Sequence, residues 1–370
     1  MLETNALLRS ISKHEKLAIL IPYVLFIFVE VFCYIKLGVR TSWDTVEYIN
    51  ASKAILNFEI PTNTYLGYIS YSFFLAVVFG LGGTIKAAAI AQILVAALAL
   101  YCFYLLGKRY LGLYLGLFAS VLFAIWPSVR FWDSYIYTES LFTSSLVICL
   151  YLLLNHKKWA GILALIFTLF VRPPGLIFGI SILFTVLICE TKAEKRRWFS
   201  LALLALCCLF FLVFDRFAET LIASYAKGEV IFPDVLIDTQ GYSIVIPKLS
   251  TNYYVDVCLF IVSNPCLFLK LFSVKVCYFL FGIRPYYTLS HNLFNFSSQF
   301  ILVLLSGIAV FSKTTDLKYK LFVALFIGLT LLMVGFTTEN WDGRFLVPII
   351  PILILSAFVG LKVVYRKLTN

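Results

Sequence analysis

Long apolar stretches recur along almost the whole sequence, and they restrict the fold more than any other feature. A helix needs about 20 apolar residues to cross a bilayer, and fewer where the membrane thins. By that standard, ten stretches predict membrane spans, at about 17–38, 86–107, 110–126, 137–154, 159–171, 174–189, 198–214, 294–311, 320–336 and 345–365. The sequence therefore predicts an all-α protein, a polytopic transmembrane helical bundle.

Two further apolar stretches leave the number of spans open between ten and twelve. The stretch at about 65–83 is interrupted by several glycines. The stretch at about 257–281 carries Lys270 and Lys275 in its middle, which suits an interfacial or re-entrant helix as well as a span. We expect one integral membrane domain over residues 1–370, in which 215–293 comprises an outer loop and this ambiguous segment.

The composition excludes a water-soluble protein. Apolar residues make up 62% of the chain and charged residues 13%, whereas soluble domains are about 45–50% apolar and about 25% charged. There is no glycine period and no heptad run, so collagen and coiled coil are excluded as well. Nine cysteines and three histidines occur without the spacing of a zinc site, so no metal site is indicated.

The net charge of +11 is best explained by membrane topology. Cytoplasmic loops are enriched in Lys and Arg, and with ten spans every basic cluster falls on the side of the N-terminus: 13/16, 108/109, 157/158, 192–197, 313–320 and 362–367. We therefore expect both termini in the cytoplasm and the first span to be an uncleaved anchor. If both ambiguous stretches also cross, the clusters between them move outside. No basic stripe alternates with aromatic residues, so nucleic acid is not expected as a partner.

This topology places most of the unusual polar residues on the outer face. The predicted outer loops are 39–64, 127–136, 172–174, 215–256 with its continuation to 293, and 337–344. Acids and arginines that are far apart in sequence are then placed to share one cavity. Such an arrangement is expected of an active site above a helical bundle.

The first outer loop carries an acid pair. Asp44 and Glu47 are three residues apart, and an apolar helical stripe follows them, so both carboxylates face the same way on a short interfacial helix. Asp44 is placed to cap this helix. The alternative interpretation is a capped interfacial helix with a solvated acidic turn and no catalytic role.

Arginines mark the ends of apolar segments. Arg172 is followed at once by Pro173, Pro174 and Gly175, and Arg344 stands just before the last span. An arginine at this boundary either snorkels to the interface or binds an anion such as phosphate. Arg130 and Glu139 stand at the outer ends of two further spans, and Glu139 either acts in the site or caps its helix with Thr138.

Glu30 is the only carboxylate well inside a predicted span. Acids within the membrane are rare enough to be functional candidates. The alternative is a hydrogen bond to a Tyr or Ser on a neighbouring helix, and the sequence names no partner.

In their joint order, these motifs resemble the polytopic GT-C glycosyltransferases, in particular the branch of protein O-mannosyltransferases and bacterial lipid A aminoarabinose transferases. The resemblance rests on Trp43-Asp44-Thr45-Val46-Glu47-Tyr48, the segment from Pro127 to Phe142, Val171-Arg172-Pro173-Pro174-Gly175, and Gly343-Arg344-Phe345-Leu346-Val347-Pro348. It covers about residues 40–365. Many relatives carry a charge before the helix that follows the first loop, whereas residues 60–68 here carry none.

The resemblance implies transfer of a hexose or pentose from a polyprenyl-phosphate carrier to a lipid, glycan or protein acceptor on the non-cytoplasmic face. Asp44 would be the catalytic carboxylate and Glu47 a supporting acid. Arg172, Arg344 and Arg130 would bind the donor phosphate, and four residues would orient the acceptor: Tyr48, Glu139, Asp342 and Tyr65. A divalent metal is left open by the resemblance and is not indicated by these residues. The expected location is a bacterial inner membrane.

Two other classes of function remain as alternatives. A membrane transporter or lipid flippase would use the same bundle without glycosyl transfer. Transporters tend to carry internal repeats and broken helices at the bilayer midplane, and the sequence contains no convincing repeat. The other alternative is a non-catalytic membrane assembly subunit or an O-antigen-ligase-like enzyme.

Overall fold

The computed structural model describes residues 13–61, 66–233, 235–246, 253–337, 339–340 and 343–369. It is 78% helical and has almost no strands, which confirms the predicted all-α class. The chain forms two compact units, residues 1–171 and 172–370.

Helices make up most of the first unit in the part of the chain that the structure describes. Its helices are α1 (Lys13–Leu37), α2 (Trp43–Leu56), α3 (Ile69–Gly80), α4 (Ile85–Leu111), α5 (Leu113–Ile125), α6 (Pro127–Arg130), α7 (Thr138–Leu154) and α8 (Lys158–Leu169). Helix α4 is central, because α1, α3, α5 and α7 all pack against it. Short helix α2 packs on α3 and carries the acid pair of the first predicted outer loop.

Glycines allow α4 and α5 to approach closely. A Cβ atom on Gly116 would lie 2.6 Å from the backbone of Gly107 and Lys108, so α5 can take this position only without a side chain there. Small residues at helix contacts are typical of membrane proteins, where close backbone packing replaces the hydrophobic effect as the driving force.

The second unit contains the remaining helices and a small sheet. Its helices are α9 (Gly175–Cys189), α10 (Ala193–Ala226), α11 (Tyr253–Ser263), α12 (Pro265–Phe281), α13 (Leu289–Phe311), α14 (Leu317–Phe336) and α15 (Ile350–Thr369). Helix α13 packs along α15, while α14 packs on α9 and α12. Strand β1 (Glu229–Phe232) pairs antiparallel with β2 (Val235–Leu236) and parallel with β3 (Glu339–Asn340).

Every predicted span coincides with a helix, but the helices differ in length. Within the described residues, five segments are long and apolar enough to cross a membrane: Ala18–Leu37, Ile85–Leu111, Leu289–Phe311, Leu317–Phe336 and Val347–Thr369. Helices α3, α5, α7, α8 and α9 are apolar but have only 12 to 17 residues. The long helices make this an integral membrane protein, while the predicted count of ten to twelve spans stays a prediction.

The ambiguous stretch at 257–281 is a broken helix. Helices α11 and α12 meet at an angle of 104° and together form a sixth candidate span or a re-entrant segment. Pro265 at the start of α12 has no backbone N–H to donate, so α11 cannot continue through it. The Asn264 side chain fills the break, where it donates to the Phe260 carbonyl at 2.9 Å and to the Val245 carbonyl at 2.8 Å.

Candidate functional site

The first candidate site lies at the start of α2, where the predicted acid pair is found. Asp44 is half-buried in the first turn and Glu47 is exposed one turn later. The prediction that Asp44 caps α2 is wrong, because Ser42 is the N-cap residue and its N–H donates to Thr45 Oγ1 at 2.9 Å. The carboxylate of Asp44 therefore does not have to close the helix, although its charge still favours the positive helix end.

A loop between α6 and α7 holds the start of α2 in place. The Arg40 N–H donates to the Ser134 carbonyl at 3.2 Å, and the Ile136 N–H donates to the Arg40 carbonyl at 3.0 Å. The Thr45 hydroxyl donates to the Ile136 carbonyl at 3.0 Å, and the Ser42 and Tyr137 hydroxyls are hydrogen-bonded. These bonds join the first loop to residues 134–137, about ninety positions later in the chain.

Aromatic rings pack around this junction. The Arg40 guanidinium lies over the rings of Phe131 and Tyr135, at 3.7 and 4.7 Å from their centroids. On α2, Tyr48 is buried and packs edge-on against Tyr71 and Tyr137, with centroids 5.0 and 6.1 Å apart. The predicted acceptor-orienting residue Tyr48 thus lies within the packing that supports Asp44.

Gln92 on α4 forms hydrogen bonds to the loop between α6 and α7. Its amide group donates to the carbonyls of Asp133 and Tyr135 at 3.3 and 2.8 Å, and its oxygen accepts from the Tyr71 hydroxyl at 2.7 Å. Gln92 and Tyr71 are fully buried. One amide side chain therefore donates to two loop carbonyls, of which the Tyr135 carbonyl also accepts from the Tyr137 N–H at 2.8 Å. Buried carbonyls are costly to leave without hydrogen bonds.

A buried charge network connects the loop with α1. The Arg130 guanidinium is 2.7 Å from Asp133 Oδ2 and 3.4 Å from Glu30 Oε1, and all three residues are at most 4% exposed. The Ser140 hydroxyl donates to Asp133. The partner of Glu30 is thus an arginine, whereas the alternative raised from the sequence was a Tyr or Ser. Arg130 forms ion pairs with two acids, Glu30 and Asp133. This pairing favours a role for Arg130 in positioning the loop over a role in binding the donor phosphate.

Asp133 is a residue that the sequence reasoning did not single out. The available signal was its position three residues after Arg130, a spacing that brings side chains together on a helical turn.

Glu139 is fully buried in the first turn of α7, where the Thr138 hydroxyl lies 3.4 Å from its carboxylate. Tyr65 and Asp342, both predicted to orient the acceptor, lie outside the described residues.

The second candidate site belongs to the second unit and contains two predicted arginines. Arg172 Nη1 donates to the Arg344 carbonyl at 3.2 Å, and the guanidinium of Arg172 lies 4.9 Å from the centroid of the Phe345 ring. Arg172 and Arg344 are 4% and 6% exposed. The structure therefore brings together two boundary arginines that are 172 residues apart.

A third arginine, Arg284, reaches the same turn and was missed from the sequence. Its Nη2 atom lies 3.1 Å from where a Cβ on Gly343 would be, and the residue is 1% exposed. The signal was a repeated dipeptide, since Arg284-Pro285 follows an apolar helix as Arg172-Pro173 does. The predicted pair of arginines is thus part of a larger cluster.

One further buried cation lies near the small sheet. Lys275 on α12 is fully buried, donates to the Thr337 carbonyl, and lies 3.7 Å from the centroid of the Tyr225 ring. In the part of the chain that the structure describes, no group of three or more His, Cys, Asp or Glu residues is placed to hold a metal ion.

The fold and these two sites define an all-helical integral membrane protein with buried charges in each unit. No protein-family model matches the sequence, and no curated protein matches it significantly.

Proposed function

We propose that this chain is a membrane glycosyltransferase of the GT-C type, which moves a hexose or pentose from a polyprenyl-phosphate donor to an acceptor on the non-cytoplasmic face. The observation that carries the proposal is the hydrogen bond from Arg172 Nη1 to the backbone carbonyl of Arg344 at 3.2 Å, which joins two buried boundary arginines. Guanidinium groups bind phosphate in a two-pronged geometry, which suits the charged end of such a donor.

In the proposed reaction, Asp44 takes the proton from the acceptor hydroxyl as that oxygen attacks the anomeric carbon of the sugar. The bond between this carbon and the phosphate oxygen breaks, and the phosphate leaves with the electron pair. Arg172 and Arg344 stabilise the negative charge that develops on the phosphate. A phosphate leaves without needing a proton, so the second carboxylic acid of ordinary glycoside hydrolysis is not required.

Support for Asp44 as the base comes from how firmly its helix is held. The bonds of Arg40, Ser42 and Thr45 to residues 131–137 fix the first turn of α2. A general base has to be held within hydrogen-bond reach of the proton it removes. We assign Glu47 as the supporting acid and Arg130 as a positioning residue, since two acids already pair with Arg130.

The proposal includes the topology expected from the charge pattern. Ten to twelve spans cross a bacterial inner membrane, with both termini in the cytoplasm. Shorter helices such as α5 and α9 cross where the membrane is thin or where several helices together exclude lipid. The first outer loop then carries Asp44 to the outer face.

Transfer from radiolabelled polyprenyl-phosphate sugars tests the proposal, with the full-length protein in liposomes made from bacterial lipid. Removing a general base slows a reaction by about 10²- to 10⁴-fold, and we expect Asp44→Asn to lose activity to that extent. The matched control is Glu59→Gln, which changes an exposed acid just beyond α2. Full activity of Asp44→Asn would remove Asp44 as the base, and no transfer by the unmodified protein from any donor tested would contradict the function.

A lipid flippase is the second candidate, and the broken helix pair favours it. Broken helices near the bilayer midplane are typical of transporters, and α11 and α12 meet at 104°, with Lys275 buried in the middle of α12. Fluorescent polyprenyl phosphate provides the test. Movement of this lipid between leaflets, lost in Lys275→Met and without any glycosyl transfer, would favour the flippase.

A further inference from the structure

We propose that one end of the second unit binds the anionic headgroups of phospholipids through a basic rim, which two segments distant in the sequence form together. The rim consists of six cations: Lys313, Lys318, Lys320, Lys362, Arg366 and Lys367. The expected ligand is a lipid surface rich in phosphodiesters such as phosphatidylglycerol. The inference does not depend on the proposed function, because a glycosyltransferase and a flippase would lie in the same lipid.

Folding brings the two basic segments close together. One segment leads into α14 and forms its first turn, while the other forms the last turns of α15. The Tyr319 hydroxyl on α14 donates to Ser356 Oγ on α15 at 2.7 Å. Lys362 follows Ser356 by six residues, which is about 9 Å along a helix axis. The start of α14 and the end of α15 therefore adjoin, although 42 residues separate Lys320 from Lys362.

The end of α15 emerges from the packing just after this contact. Ser356 is fully buried, as are most of the residues of α15 that precede it. Every residue from Tyr365 to Thr369 is exposed. The cations at this end of the helix can therefore reach lipid.

Acidic residues compensate little of the charge on the rim. In the segments 313–320 and 362–369, Asp316 is the one acid against six cations, which leaves a net charge of +5. Asp316 is the N-cap of α14, and its Oδ1 atom accepts from the N–H groups of Lys318 and Tyr319 at 2.9 and 3.2 Å. A strong local excess of positive charge attracts the phosphodiesters of anionic lipids.

The surroundings of the rim favour a lipid surface over a partner in water. Four of its cations are exposed: Lys313, Lys318, Arg366 and Lys367. Large apolar side chains beside them are exposed as well: Phe311, Leu317, Tyr365 and Leu368. Such a mixture is typical of helix ends at a membrane interface, where apolar groups contact lipid tails and long cationic side chains reach the headgroups.

This arrangement goes beyond what membrane topology requires. The topology rule counts Lys and Arg in each loop separately, whereas a lipid-binding surface needs several cations within reach of the same headgroups. The contact between Tyr319 and Ser356 supplies that convergence. The topology predicted from the charge pattern places the rim at the cytoplasmic leaflet.

Binding of lipids to the full-length protein in neutral detergent tests the proposal, with native mass spectrometry as the measurement. Phosphatidylglycerol is compared with phosphatidylcholine of the same acyl chains, and we expect the unmodified protein to prefer phosphatidylglycerol. The variant Lys318→Gln/Arg366→Gln/Lys367→Gln should reduce this preference at least about fivefold, which equals about 1 kcal/mol. Its binding of phosphatidylcholine should stay unchanged.

The matched control removes three exposed lysines elsewhere in the described chain, with the same change in net charge: Lys36→Gln/Lys86→Gln/Lys227→Gln. It should keep the preference of the unmodified protein. An equal loss in the control, or no loss in the rim variant, would overturn the proposal.

Single substitutions test whether the two segments act together. Lys318→Gln and Arg366→Gln should each lower the preference for phosphatidylglycerol. An effect of only one of them would overturn the joint rim. Polyglutamate that displaces phosphatidylglycerol at equal concentration of charge would assign the rim to an acidic protein partner and overturn the lipid assignment.

A change of salt concentration keeps the test decisive if the triple variant does not fold. Raising the salt from about 0.1 to about 1 M shortens the screening length from about 10 to about 3 Å. The unmodified protein should then lose most of its preference for phosphatidylglycerol. The same preference at both salt concentrations would overturn an electrostatic rim.

Discussion

Glu30, inside the first apolar helix, accepts a hydrogen bond at 3.4 Å from Arg130, one hundred residues later in the chain. Arg130 also lies 2.7 Å from Asp133, so one cation serves two buried acids. The bond ties α1 to the loop that holds α2. A buried acid on the first apolar helix therefore contributes to the position of the candidate catalytic loop.

Replacing Arg130 should destabilise the protein strongly. In Arg130→Met, Glu30 and Asp133 would stay buried without their cation, and breaking a buried ion pair in this way costs about 3–5 kcal/mol. The measurement is the midpoint of heat unfolding in detergent. The triple variant Glu30→Gln/Arg130→Met/Asp133→Asn should regain much of the loss, because no unpaired charge remains. A wild-type midpoint for Arg130→Met would contradict the structural role of the network.

Gln92→Leu should loosen the loop at residues 131–137. The substitution removes the amide donor from the carbonyls of Asp133 and Tyr135. The Tyr135 carbonyl keeps its bond from the Tyr137 N–H, so the expected cost, about 1–3 kcal/mol, comes from the lost bond to the Asp133 carbonyl. Hydrogen exchange followed by mass spectrometry should show faster exchange in peptides that cover this loop. Tyr71→Phe loses a single hydrogen bond to Gln92 and should change the exchange much less. Equal exchange in Gln92→Leu and the unmodified protein would exclude this support.

Arg40→Lys keeps the charge but removes the flat guanidinium that lies over Phe131 and Tyr135. On the proposed mechanism, the first turn of α2 then shifts, and small misplacements of a catalytic group cost up to about 10²-fold in rate. We expect kcat for glycosyl transfer to fall while polyprenyl phosphate binds as before. Weaker lipid binding with an unchanged kcat would show that Arg40 acts elsewhere.

Gly360→Ala should destabilise the contact between α13 and α15. A Cβ on Gly360 would collide with the carbonyl oxygen of Leu305 on α13, and overpacking of this kind costs about 1–3 kcal/mol. Gly307→Ala is the matched control on α13, because nothing lies within 4 Å of its Cβ position. That control should be neutral or stabilising by up to about 1 kcal/mol through helix propensity. Unfolding midpoints in detergent compare the two, and the same midpoint for both variants would contradict the close packing.

The positions of the helices could be predicted because the signal lies within each segment. The stretches expected at 86–107, 294–311 and 320–336 correspond to Ile85–Leu111, Leu289–Phe311 and Leu317–Phe336. Length and hydropathy belong to the segment itself and do not depend on its neighbours. The break at Asn264–Pro265 had a local signal too, because a proline starts helices more readily than it continues them.

The candidate sites were predictable only in part. The arginines Arg172 and Arg344 were found because each borders an apolar segment, a property of the local sequence. Arg284 and Asp133 were missed, since their importance comes from residues that are distant along the chain: Gly343 for Arg284, and Glu30 on α1 in the network around Asp133. The capping prediction for Asp44 was wrong because Ser42, two residues earlier, begins the helix.

Hydropathy along the chain is enough to predict an all-α membrane protein with arginines at the ends of its apolar segments. Which residues meet follows from the packing of the helices: Arg130 pairs with Glu30 and Asp133, and Arg172 donates to the backbone carbonyl of Arg344. The physical reason is that burial in a membrane is set by the summed hydropathy of a continuous segment. The pairing of buried charges depends on distances of a few ångströms between helices, and those distances follow from packing.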